Sequence, residues 1–212
     1  MISSVGDALS MIRVELEKTL VNPDGVAIEA LHRAAEEAAI NAGADPATVQ
    51  VESAAVPERG ALRVAAYGSL ALEAGDRRES IDADDQHEVA QRTLGRRASL
   101  IGRTPHYSVW GVDVGSGKRF VVIDRTGSIV VDTRGTALSG TGVEVGAALE
   151  ERVPALTRHF GPLKVAPAVR VIRGARLVDL TLISRPDEAL EAAATECSLA
   201  GDASVIALLS RD

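Results

Sequence analysis

The chain has 212 residues, 46% of them hydrophobic and only five aromatic, and its net charge is −7. Its length suits one large domain or two small ones with an aliphatic core, and its negative charge argues against a nucleic-acid partner. The single cysteine, Cys197, excludes an internal disulfide and a cysteine-based zinc cluster.

The first predicted element is an amphipathic helix at the start of the chain. Its apolar residues repeat at spacings of three and four: Ile2, Val5, Leu9, Ile12 and Leu16. No strand is predicted before this helix, and a helix with such a stripe usually packs against a surface that is already folded. These five residues are therefore the predicted partner-docking surface.

A second helix and a β-hairpin are predicted next. Asn22 is expected to cap the helix, with Pro23 at its first position and Gly43 at its end. The strands of the hairpin are predicted at residues 49–56 and 61–72. Residues 1–75 are therefore predicted to form a helix-helix-hairpin module.

The rest of the chain is predicted to contain a linker with a helix, residues 76–104, and a second mixed module, residues 105–212. The predicted helices span residues 84–94, 143–160 and 186–199. The predicted strands span residues 106–114, 119–124, 128–132, 168–172, 176–183 and 204–209. Hairpins mixed with helices predict an α+β fold with antiparallel strands.

The stretch WGVDVGSGKRFVVIDRTGSIVV, residues 110–131, has the pattern of the first phosphate-binding hairpin of actin-like ATPases. Asp113 would help to hold Mg²⁺, and Gly115, Ser116 and Gly117 would let backbone N–H groups approach phosphate oxygens. The same pattern also makes an ordinary tight turn. No second hairpin and no adenosine loop follow in the sequence, so a three-stranded meander is the favoured interpretation.

The acidic stretch DADDQHE, residues 82–88, has no recognised metal-ligand spacing. Acids at the start of a helix are expected from capping and from the helix dipole. We therefore predict no metal site and assign no catalytic residue.

Two segments resemble a known family. ISSVGDALSMIRVELEKTL, and then EALHRAAEEAAINAGADPATVQVESAAVPERGALRVAAYGSL, are similar to the C-terminal region of the hydantoinase/oxoprolinase large subunits. The resemblance covers residues 2–72. It rests on the small residues around Gly6 and Asp7, on the Ala-Gly-Ala-Asp-Pro turn beginning at Ala42, and on the two strands that follow.

The resemblance implies an ATPase-like superfold, large partner subunits, and ATP-dependent opening of cyclic amides or carboxylation of ketones. It places Gly6 and Asp7 near the nucleotide. The family's ATP-binding hairpins precede this region, so its catalytic residues have no counterparts in this chain. ATP and Mg²⁺ are expected only in complex with a partner.

The sequence therefore predicts a noncatalytic accessory subunit that docks on a larger hydantoinase-type ATPase. One alternative is a small nucleotide-binding protein that uses Asp113 and the turn at residues 115–117. Another is a self-associating structural module. A cytoplasmic location is expected, because no signal sequence and no apolar run of membrane-spanning length occurs.

Overall fold

Four helices and twelve strands form in the residues that the structure describes. The structure is a computed structural model, and it describes residues 11–20, 23–69, 81–115 and 117–210. The helices are α1 (Gly25–Asn41), α2 (Ala83–Leu94), α3 (Gly142–Leu156) and α4 (Pro186–Ala200). The strands are β1 (Met11–Thr19), β2 (Gln50–Val56), β3 (Ala61–Ser69), β4 (Ser99–Arg103), β5 (Tyr107–Val114), β6 (Gly117–Asp124), β7 (Ile129–Thr141), β8 (Arg158–Phe160), β9 (Leu163–Val165), β10 (Ala168–Arg173), β11 (Arg176–Asp179) and β12 (Ser204–Ser210). The fold is α+β, as predicted.

Ten of these strands form one sheet, in the order β1-β3-β2-β11-β10-β12-β7-β6-β5-β4. Neighbouring strands run antiparallel except β2 and β11, which run parallel. The parallel register pairs Val51 with Arg176 and Glu52 with Leu177. The hairpin β2–β3 therefore joins the sheet beside strands that come much later in the chain.

The first predicted helix is wrong where the structure describes it. Residues Met11–Thr19 form β1, which pairs with β3 over nine consecutive residues. Ile12 and Leu16 pack against the core from this strand, with Val14 between them. Alternate residues of a strand share one face, so a period of two explains these three apolar residues. The rest of the predicted stripe lies outside the described residues: Ile2, Val5 and Leu9.

The larger core lies between the sheet and the three helices α1, α3 and α4. Asp24 caps α1 by accepting a hydrogen bond from the Ala27 N–H at 2.8 Å. The cap is therefore Asp24, two residues after the predicted Asn22. The buried apolar residues of α1 follow the predicted helical spacing: Ile28, Leu31, Ala35 and Ala39.

Strands β7, β6, β5 and β4 curl over the other face of the sheet. A second core fills the inside of the curl and includes Tyr107, Phe120 and Ile206. Strand β4 lies against β12, where the Ser204 hydroxyl donates to the Arg103 carbonyl at 2.8 Å. Helix α2 covers the outside of the curl over a third, smaller cluster.

The stretch at residues 110–131 forms the three-stranded meander β5–β6–β7, which was the favoured interpretation. Strand β7 extends to Thr141, well beyond the predicted strand. Helix α3 ends at Leu156 rather than at Phe160, because residues 158–165 turn through Gly161 to form the hairpin β8–β9. In the described part of the chain no helix is both long and apolar enough to cross a membrane.

Candidate functional site

The turn between β5 and β6 brings together three residues predicted to lie near a nucleotide. Asp113, Gly115 and Gly117 line one open concavity of about 580 Å³. Lys118 and Gly135 complete its polar side, and its base is apolar. The other residues of this prediction lie outside the described part of the chain: Gly6, Asp7 and Ser116.

The charges at this turn are exposed and nearly balanced. The Asp113 side chain is 84% exposed, and its Oδ1 lies 3.7 Å from the Lys118 Nζ. Lys118 is the one cation among the described residues that line the concavity. An incoming phosphate would compete with Asp113 for that lysine, so the turn has little net attraction for an anion.

A second concavity, of about 470 Å³, lies between α1 and α4. We call it the α1–α4 groove. Its apolar lining comes from both helices and from β11 and the residue that follows it: Val26, Ile28, Val178, Leu180, Ala192 and Leu199. Val26 and Leu199 are 76% and 60% exposed. The groove therefore combines a buried apolar floor with apolar side chains that face solvent.

Acidic side chains surround the α1–α4 groove. Five carboxylates and one guanidinium line it: Asp24, Glu29, Glu188, Glu191, Glu196 and Arg33. Three of the carboxylates pair with arginines outside the lining: Glu29 with Arg176 at 3.3 Å, Glu196 with Arg173 at 2.6 Å, and Glu188 with Arg185 at 2.6 Å. Carboxylates still outnumber cations when these arginines are counted, which favours a ligand with positive charge.

His32 lies on α1 three residues after Glu29, and it is fully buried. Neither of its ring nitrogens has a hydrogen-bond partner. Burial, together with the nearby charges of Arg176 and Arg173, lowers the pKa of His32 to about 3. His32 is therefore neutral at physiological pH and is held in the core without a polar partner.

Both tyrosines of the chain meet on one carboxylate, that of Glu52. Tyr67 donates a short hydrogen bond to Glu52 Oε1, and the Tyr107 hydroxyl donates to the same oxygen at 3.2 Å. Beside them, Arg13 and Arg63 line a small crevice of about 160 Å³. This cluster connects the hairpin β2–β3 to the first strand of the meander.

The Glu52 carboxyl has an unusual protonation equilibrium. Burial raises the pKa of Glu52, although the hydrogen bonds from Tyr67 and Tyr107 oppose that effect. Burial and the nearby Glu52 charge also raise the pKa of both tyrosines. The cluster therefore holds its protons tightly, as a structural hydrogen-bond network does.

The acidic stretch at residues 82–88 contributes a helix cap, as predicted. The Asp82 carboxylate accepts hydrogen bonds from the N–H groups of Asp84 and Asp85, both at 2.8 Å. Further along α2, His87 stacks on Trp110, with 4.9 Å between ring centroids. The described residues contain no group of three or more side chains arranged to hold a metal ion.

The α1–α4 groove and the Glu52 cluster have no motif in the sequence. Val26 and Leu199 are separated by most of the chain, and each is a single apolar residue on a helix. The sequence does contain one indication of the Glu52 cluster, because the chain has only two tyrosines and both lie in predicted strands. Their convergence on Glu52 depends on strand order.

Comparison with protein-family models, with curated proteins and with solved structures finds no match to this chain. The resemblance described for residues 2–72 therefore rests on its own motifs.

Proposed function

We propose that this chain is a noncatalytic accessory subunit that docks on a larger ATP-dependent enzyme of the hydantoinase/oxoprolinase type. The observation that carries the docking function is the α1–α4 groove, whose exposed Val26 and Leu199 stand over an apolar floor. Exposed apolar side chains around a concave surface are typical of protein-binding sites.

This proposal moves the docking surface from the place that the sequence predicted. Ile12 and Leu16 lie on a strand and pack partly on the core of the chain itself, so they do not form the exposed helical stripe that was predicted. The groove lies on the helical side of the same N-terminal region. Helix α1 and the hairpin β2–β3 follow one another in the order that the family resemblance implies.

The partner segment that fits this groove is an amphipathic helix or loop with apolar side chains and at least one lysine or arginine. Its apolar side chains would contact Val26 and Leu199, and its cation would lie near Glu191. Full burial of an exposed valine or leucine contributes about 1.5–3 kcal/mol. Loss of either contact therefore corresponds to a weakening of about tenfold or more.

The test is titration calorimetry of the purified chain with a hydantoinase-type large subunit that contains its ATP-binding region. Val26→Glu and Leu199→Glu are each expected to weaken binding by about tenfold or more. Val143→Glu is the matched control, because Val143 is 71% exposed on α3, outside the groove lining. Absence of a complex at micromolar concentrations, or equal weakening by all three variants, would overturn the proposal.

A second candidate function is nucleotide binding at the β5–β6 turn. It is favoured by the shared concavity of Asp113, Gly115 and Gly117. Calorimetry with Mg-ATP tests it, and Asp113→Ala should abolish any heat of binding. No heat at millimolar nucleotide, or binding unchanged by Asp113→Ala, would end this alternative.

A further inference from the structure

Strand β1 forms one edge of the ten-stranded sheet. Among the described residues it pairs with β3 alone, so the backbone N–H and C=O groups on its outer side have no strand partner there. Its nine residues contain no proline, no glycine and no register shift against β3. Proline, bulges and charged side chains protect edge strands. Strand β1 has charged side chains but neither proline nor a bulge, so its outer backbone groups can pair with a strand whose charges match.

The two faces of β1 differ in character. Ile12, Val14 and Leu16 point toward the core under α1, and they are only partly buried. Arg13 and Glu15 point to the opposite face, where they form an exposed ion pair. A strand that pairs with this edge must place its apolar side chains beside the apolar face of β1 and its charged side chains beside the charged face.

A second copy of β1 satisfies both requirements in one antiparallel register. We propose that two copies of the chain associate through β1 about a two-fold axis that passes at Val14. In this register Ile12 lies opposite Leu16 of the second copy, and Val14 lies opposite itself. Arg13 lies opposite Glu15 of the second copy, so the axis generates two cross-strand pairs of opposite charge.

The two neighbouring registers that also pair like faces of the two strands are less favourable. An axis at Glu15 places the two Glu15 side chains opposite each other. It also places Arg13 opposite Glu17 of the second copy, but Glu17 already pairs with Arg59 and Arg63 of its own chain. An axis at Arg13 places the two arginines opposite each other. Like charges directly opposite each other in a sheet are destabilising. The charge order of β1 therefore selects the axis at Val14 among these three.

The symmetry of the contact favours a closed dimer over a fibre, and the other edge of the sheet is partly held by β12. Strand β4 lies against β12, and a Cβ added at Gly102 would meet the Ile206 side chain at 3.0 Å. The Arg103 carbonyl accepts a hydrogen bond from Ser204 at 2.8 Å. The Arg103 end of β4 is therefore held against β12, whereas Ser99 and Leu100 are exposed. A contact between β1 of one copy and β1 of another is isologous, and an isologous contact stops at two subunits.

Sedimentation equilibrium over a concentration series of the full chain tests this dimer. One strand pair is a small interface, so we expect dissociation in the micromolar range. Arg13→Glu is expected to weaken the dimer by about tenfold or more, because each cross-strand pair of opposite charge then becomes a pair of facing carboxylates. The double variant Arg13→Glu/Glu15→Arg reverses both charges and is expected to restore dimerisation to within about threefold of the original.

Arg152→Glu is the matched control, because it reverses an arginine on the exposed side of α3. Thermal unfolding of each variant checks that the fold is retained. A monomer at all concentrations, or a double variant as weak as the single one, would overturn the proposal. The inference goes beyond the accessory-subunit function and is independent of it, since Val26→Glu is expected to leave the dimer unchanged.

Discussion

His32 illustrates at the scale of one residue how burial controls a charge. Its ring is fully buried and neither nitrogen has a hydrogen-bond partner. Its pKa falls from 6.5 to about 3 in the folded chain. A proton therefore binds the unfolded chain more readily than the folded one. The resulting contribution to stability is complete above pH 6.5 and is lost as the pH falls from 6.5 toward 3.

The first prediction concerns this pH dependence. Between about pH 7.5 and about pH 5, His32 should lower the free energy of unfolding by about 2 kcal/mol. His32→Leu should remove that loss and should raise stability at about pH 7.5 by about 1–3 kcal/mol, because leucine has no unpaired nitrogen. Urea unfolding of both proteins at both pH values measures the difference.

His159→Gln is the control for this experiment, because it replaces an exposed histidine on β8. Carboxyl groups titrate in both proteins, so the difference in the pH dependence of stability between His32→Leu and the wild type gives the contribution of His32. Parallel pH profiles of the wild type and His32→Leu would contradict the prediction.

The second prediction concerns the Glu52 cluster. Tyr107→Phe removes a hydroxyl that donates to Glu52 at 3.2 Å, and it should lower stability by about 1 kcal/mol. A double-mutant cycle of Tyr107→Phe with Glu52→Gln, followed by chemical denaturation, measures the coupling of the pair. Additive effects of the two substitutions would show that the hydroxyl and the carboxyl do not interact.

At the scale of the element, the long strand β7 depends on one close backbone approach. A Cβ at Gly135 would lie 1.9 Å from the Leu209 carbonyl oxygen on β12. This distance is far shorter than any non-bonded contact. The pairing of β7 with β12 therefore requires glycine at this position.

The third prediction follows from this contact. Gly135→Ala should force β7 and β12 apart and should lower the free energy of unfolding by about 3 kcal/mol or more. Gly117→Ala is the matched control, because an added Cβ there has no atom within 4 Å. Thermal unfolding compares the two variants, and equal melting temperatures would refute the close approach.

At the scale of the whole molecule, the hairpin β2–β3 is attached to the rest of the sheet around Asp179. Its carboxylate is almost fully buried and pairs with Arg170 at 3.2 Å. It also accepts a hydrogen bond from the Ala55 N–H at 3.3 Å, while the Asp179 N–H donates to the Ser53 hydroxyl at 2.8 Å. The side chain and the backbone N–H of one residue therefore reinforce the only parallel strand pair among the described residues.

The fourth prediction tests this connection. Asp179→Ala leaves Arg170 without its buried partner and should cost about 3 kcal/mol of stability. The loss should be local, so hydrogen exchange should accelerate in β2 and β3 more than in β5 and β6. Uniform acceleration across the sheet would indicate that Asp179 stabilises the whole fold rather than this junction.

The sequence by itself determined the elements whose signals are local. The helical spacing of Ile28, Leu31, Ala35 and Ala39 predicted the buried face of α1, and the turn at Gly115 and Gly117 predicted the meander. Such signals depend on residues a few positions apart, and here the tertiary context agrees with them.

Only the tertiary structure decided the secondary structure of Met11–Thr19 and the location of the candidate sites. Ile12 and Leu16 satisfy a helical spacing and a strand alternation equally, and pairing with β3 selects the strand. Val26 and Leu199 line one groove, and Tyr107 reaches Glu52, because strand order brings distant segments together. The physical reason is that periodicity reports on one segment, whereas a groove or a polar cluster depends on which segments become neighbours in the sheet.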